Sequence, residues 1–151
     1  WNRGPMVPGR DNLFNQNKIQ FEKAMAFDAT MLAALPVQEL QLSGENKGSS
    51  GGEAMLLGST FSGPSLADVL KASGAEGQKV RLTSLDGSTV DLSPEELKQH
   101  NWMLALSVDG KPVGIGDFGP LWLLHKPLSG STLTKEDLQQ WVWSVFYIEV
   151  L

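Results

Sequence analysis

Cysteine is absent from the 151-residue chain. Its absence excludes disulfides, thiolate metal centres and any cysteine-ligated cofactor, and leaves cytosol and periplasm both open. Histidine is scarce: His100 and His125 stand far apart in sequence and in unlike surroundings. A zinc site built from only two histidines needs unusual carboxylate help. Neither histidine has an evident serine and carboxylate partner by spacing, so nucleophilic catalysis finds little support. Basic clusters are missing too. With 12 Lys plus Arg against 17 Asp plus Glu and a net charge of −5, a phosphate-tracking nucleic-acid surface is disfavoured. No apolar run reaches the about 18 to 20 residues that cross a bilayer as a helix. The first residue is Trp1 rather than Met, from which we expect that an upstream segment has been removed, as a cleaved export signal or a trimmed tag would be.

What is present is enough for one domain, which at this length buries about 70% of the surface its unfolded chain exposes. The stretch Asp109 to Pro127, DGKPVGIGDFGPLWLLHKP, organises the reading. Asp109-Gly110 favours positive φ and joins paired strands. Gly114, Gly116 and Gly119 then allow backbone to approach something closely. Leu121 to Leu124 reads as a short buried strand, with Trp122 facing opposite Leu121 and Leu123. A loop carrying Asp117 and Phe118 straight into a rigid strand fits a ligand cradle, and it also fits a plain glycine-rich hairpin end.

Along the rest of the chain, residues 1–18 read as an irregular arm and 19–151 as the single domain. Asp28 caps a helix over Ala29 to Leu35, stopped by Pro36, and Val37 to Leu42 alternates as a half-buried strand. Ser43 to Glu53, with four glycines and three serines, reads as a mobile loop, either a connection or a lid. Thr60 to Leu70 reads as a turn and a short amphipathic helix capped by Ser65, ending near Gly74. Lys79 to Leu85, Asp86-Gly87 and Thr89 to Leu92 make a hairpin. Ser93-Pro94-Glu95-Glu96 starts a helix that ends by His100-Asn101, and Trp102 to Val108 is a single strand. Thr134 with Asp137 starts the last helix. Trp141 to Leu151 alternates as a closing strand, which puts Trp141 and Trp143 on one face with Val145. Strands outnumber short helices, so an antiparallel-rich α+β domain follows.

Four segments in this order resemble the molybdopterin-binding domain of sulfite-oxidase-like proteins: FSGPSLADVLKASGA (61–75), VRLTSLDGSTVDLSPEEL, NWMLALSVDGKPVGIGDFGPLWLLHKP and WVWSVFYIEV. The resemblance covers about residues 28–151 and implies that family's fold. Enzymes of the family hold molybdenum through a cysteine thiolate between the first strand and the helix that here starts near Ser65. This chain has no cysteine and carries the glycine-serine loop there. Serine cannot replace a soft thiolate as a metal ligand. Molybdenum-dependent oxygen-atom transfer is therefore not expected, and the family's phosphate-gripping basic residues are thin, with Gly116 and Gln140 standing where arginine or lysine would serve.

The Gly-Pro-Leu-Trp strand and Trp-x-Trp ending are similar to a small single-domain branch of exported bacterial proteins. The branch implies a non-enzymatic periplasmic receptor for a free, metal-free pterin, neopterin- or monapterin-like, that signals to a membrane-bound enzyme of cyclic-di-GMP turnover. A pterin presents adjacent donors that a carboxylate matches bidentately, and a flat ring that aromatic faces fit. Asp117 is the expected carboxylate, Phe118 and Trp122 the stacking or lining groups, and the backbone at Gly116 and Gly119 the partner of the ring carbonyl. Trp141 or Trp143 forms another wall, and Gln139 or Gln140 offers an amide to the ring edge. No metal ligand and no catalytic residue is expected. Two alternatives stay open: an oxidoreductase holding molybdopterin without a cysteine ligand, and a protein-interaction domain with no small-molecule ligand.

Overall fold

The computed structural model describes residues 23–42, 57–127 and 134–151. The arm at 1–18 and the loop at 43–53 lie outside the described residues. The elements follow as α1 (Ala29–Ala33), β1 (Val37–Gln41), β2 (Thr60–Pro64), α2 (Leu66–Ala72), β3 (Val80–Ser84), β4 (Thr89–Leu92) and α3 (Pro94–Gln99). Then come β5 (Trp102–Ala105), β6 (Ser107–Val108), β7 (Lys111–Pro112), β8 (Leu121–His125), α4 (Lys135–Gln140) and β9 (Val142–Val150). They form a four-stranded sheet ordered β1-β2-β6-β7 and a five-stranded sheet ordered β4-β3-β9-β8-β5. Every pairing among these strands is antiparallel, in keeping with the α+β expectation.

Local chemistry sets the helix starts. Asp28 accepts from the Met31 amide at 2.7 Å. Ser65 accepts from the Asp68 amide and donates its hydroxyl to the Asp68 carboxylate at 2.7 Å. Ser93 with Glu96 and Thr134 with Asp137 close full capping boxes, each satisfying two amide groups that the first turn leaves free.

The two sheets join at positions that residue patterning does not mark. Residues 60–64, expected as a turn, are β2, an inner strand of the four-stranded sheet. Trp102 to Val108, expected as one strand, is two. The chain leaves the five-stranded sheet after Ala105, crosses at Leu106, and enters the four-stranded sheet at Ser107. An isolated bridge between Ser65 and Met103 ties the two sheets together at this crossing. Gly63 is the close-approach point, because a Cβ there would meet the Leu104 carbonyl and the Ala105 Cα.

β5 and β8 pair as a wall between two cores, which explains why both are continuously apolar rather than alternating. Trp102, Leu104 and Leu123 face one core with Leu66, Leu70, Val80, Leu82 and Val145. Met103, Ala105, Trp122 and Leu124 face the other with Leu42, Phe61 and Trp141. The second core holds the ring cluster described next.

Candidate functional site

The β6–β7 turn and the loop between β7 and β8 lead the chain into β8. The hairpin at Asp109-Gly110 has φ of 50° and 75°, and the Asp109 carboxylate accepts from the Thr60 amide at 2.8 Å. Further on, the Asp117 and Gly119 amides both donate to the Gly114 carbonyl, at 3.2 and 3.0 Å. Gly119 is buried, and a Cβ there would run into the Val113 and Gly114 carbonyls, so glycine is required for the loop to close on itself. Gly116, at φ 109°, lies in open space at the exposed tip. The peptide Gly119-Pro120 is cis.

β9 anchors the far side of this loop. The Ser144 amide donates to the Phe118 carbonyl at 2.8 Å, and the Ser144 carbonyl accepts from the Leu85 amide at 2.9 Å. Ser144 has φ of 55°, and the register of β9 slips against both neighbours near it. This β-bulge overturns the expected alternation. Trp141 and Val145 are buried while Trp143 is exposed, so Trp141 and Trp143 do not share a face. Trp141 precedes the strand as the C-cap of α4.

The result is a connected series of rings running from surface to core. Trp143 is 51% exposed, with its centroid 6.2 Å from that of Phe118. Phe118 is 39% exposed and stacks on Trp122 at 4.5 Å with planes 20° apart. Trp122, 2% exposed, meets Trp141 edge-on at 6.2 Å and Phe61 edge-on at 5.3 Å. Phe118 and Trp122 thus stack on one another, and no third ring fits between them at this spacing. Asp117, the residue before Phe118, is exposed, and its carboxylate has no hydrogen-bond partner among the described residues. Gln139 and Gln140 are exposed on α4, and no described contact joins them to these rings.

Behind the rings, hydrogen bonding is incomplete. The indole Nε1 of Trp122 and of Trp141 and the Nε2 of His125 are buried without a partner among the described residues. Trp102, by contrast, donates to the Glu96 carbonyl at 3.0 Å. The Lys126 carbonyl can only accept, so His125 donates to it from Nδ1 at 2.7 Å.

His125 also corrects the expectation of unlike surroundings. It stacks on His100 at 5.1 Å with planes 26° apart, and both rings meet the edge of Trp102. Burial and the neighbouring His125 hold the His100 imidazole below its ordinary value of 6.5, against the pull of Glu96 and Asp137. The stack joins residues 25 positions apart, and no local pattern in the sequence signals it.

A separate, mostly apolar concavity of about 510 Å³ lies between α1, the four-stranded sheet and the outer side of the loop. It is lined by Ala33, Val37, Ser62, Leu106, Pro112 and Ile115, among others. None of the candidate ligand-binding residues lines it.

The donor set does not suit molybdenum. The chain supplies no thiolate, and among the described residues no group of three or more His, Asp or Glu side chains is placed to hold a metal. Also among the described residues, no helix is long and apolar enough to cross a membrane. Comparison with protein-family models finds no match to this chain. Comparison with curated proteins likewise finds none.

Proposed function

We propose that this domain is a non-enzymatic binder of a free pterin, neopterin- or monapterin-like, on a sulfite-oxidase-like scaffold. In this reading it is an exported, periplasmic receptor that reports the pterin to a membrane-bound enzyme of cyclic-di-GMP turnover. The observation that carries it is the exposed Asp117 carboxylate, without a hydrogen-bond partner among the described residues, one position before a ring series that reaches the surface at Phe118 and Trp143. A flat heterocycle takes an aromatic face there, and its adjacent N–H groups take the carboxylate. The missing thiolate supports binding without metal chemistry.

A second reading, a protein-docking surface, draws on the exposure of Ile115, Phe118 and Trp143. One experiment separates the two. Millimolar neopterin raises the melting temperature by mass action if the ring binds, and Asp117→Asn weakens binding about tenfold, the worth of one charge-assisted hydrogen bond. Lumazine, with oxygen in place of the 2-amino group, binds the wild type more weakly than pterin does. A melting temperature indifferent to neopterin sinks the pterin reading.

A further inference from the structure

We propose that the Phe118 ring occupies the ligand's own position, and that a bicyclic pteridine-class ring displaces it from Trp122 on binding. This inference rests on the pterin reading and names the surface within the site that the ring contacts.

Three observations carry it. Phe118 lies on Trp122 in parallel stacking, 4.5 Å apart and inclined 20°, the arrangement a planar heterocycle itself adopts on an indole. The other described rings touching Trp122 stand nearly perpendicular to it, so among the described residues Phe118 alone is stacked on it.

Second, the backbone of Phe118 is fixed while its ring is partly exposed. The Phe118 carbonyl accepts from Ser144, and the adjacent Gly119 is packed against the Val113 and Gly114 carbonyls. The ring is 39% exposed, so a rotation about its own side-chain bonds uncovers Trp122 without moving the loop. Such rotations are fast at partly exposed positions.

Third, the residue before Phe118 on the loop is Asp117, which is exposed and whose carboxylate has no hydrogen-bond partner among the described residues. A pteridine carries adjacent N–H donors on its rim, which a benzyl ring lacks and which a carboxylate matches. Phe118 is thereby a competitor of the ligand, not a wall of its pocket.

Isothermal titration of the full chain with oxidised neopterin tests this, using wild type, Phe118→Ala and Phe118→Leu, with thermal melts confirming that each variant folds. With the stacked rotamer dominant, removing it tightens apparent affinity roughly tenfold. Leu, which covers Trp122 without stacking, falls between wild type and Ala. If Ala does not fold, the Leu variant decides by the same direction of change. A folded variant with weaker or unchanged affinity overturns the displacement and makes Phe118 a wall or a bystander, while wild-type binding keeps the pterin reading intact. Absence of binding by wild type and variants alike overturns both.

Discussion

Replacing Gly63 with alanine tests how the two sheets are joined. Gly63 is buried in β2, and the Cβ of an alanine would meet the Leu104 carbonyl and the Ala105 Cα. Both are backbone atoms of β5, which is pinned by its ladder to β8 and cannot turn aside as a side-chain end would. The backbone of Gly63 does not require glycine, since its φ lies outside the positive region. Any loss therefore comes from separating β2 and β5, beside the Ser65–Met103 bridge. Overpacking a fixed core costs about 1–3 kcal/mol, more when backbone must shift, and we expect about 3. At this chain length that lowers Tm by roughly 6 to 12 °C. Gly77→Ala is the comparator. Gly77 sits at φ 76° with open space around it, so its cost, about 1–2 kcal/mol, is conformational alone. Thermal and urea denaturation followed by circular dichroism measure both. A Gly63→Ala protein within about 0.5 kcal/mol of wild type, or more stable than Gly77→Ala, refutes the close-approach argument.

Two further outcomes concern pH. Bonds from Arg81 at 2.6 and 2.9 Å, with Lys79 at 3.3 Å, hold the Asp91 carboxyl at about 2 against an ordinary 3.8. The folded value lies below the unfolded one, so this stability is complete above 3.8 and is lost as pH falls towards 2. Melting temperatures across that window fall less steeply for Asp91→Asn than for wild type, and equal slopes contradict the assignment. His100 is a base held below 6.5, so the unfolded chain takes up its proton first and stability declines as pH drops below 6.5. His100→Gln flattens this leg of the profile, and a proton-NMR titration finding a His100 midpoint above 6.5 rules the mechanism out.

Much of the local structure was legible because its causes are local. The caps at Asp28, Ser65, Ser93 and Thr134 announce themselves by a side-chain acceptor placed two or three residues before a free amide. The Asp86-Gly87 and Asp109-Gly110 turns follow from dipeptide chemistry, with positive φ at Gly87, Asp109 and Gly110. What periodicity missed was decided by distant partners. Residues 60–64 carry a glycine and a proline that suggest a turn, yet pairing with β1 and β6 makes them a strand. The crossover at Leu106 leaves no break in an apolar run. At the candidate site, Asp117, Phe118 and Trp122 were readable as neighbours in one loop and strand. That Phe118 stacks on Trp122, and that Trp141 and Trp143 part company, depends on the Ser144 bulge, which the residue pattern does not encode.

That bulge makes strand irregularity, as much as residue type, a determinant of the site. With one extra residue accommodated around Ser144, one tryptophan roots the rings in the core and the other stands in solvent at their outer end. In a strand of the same residues pleated regularly throughout, positions 141, 143 and 145 would share one face. The outer tryptophan would then turn inward with Val145, and Phe118 alone would remain at the mouth. The bulge, rather than the tryptophans themselves, therefore decides whether the closing strand presents an outer indole.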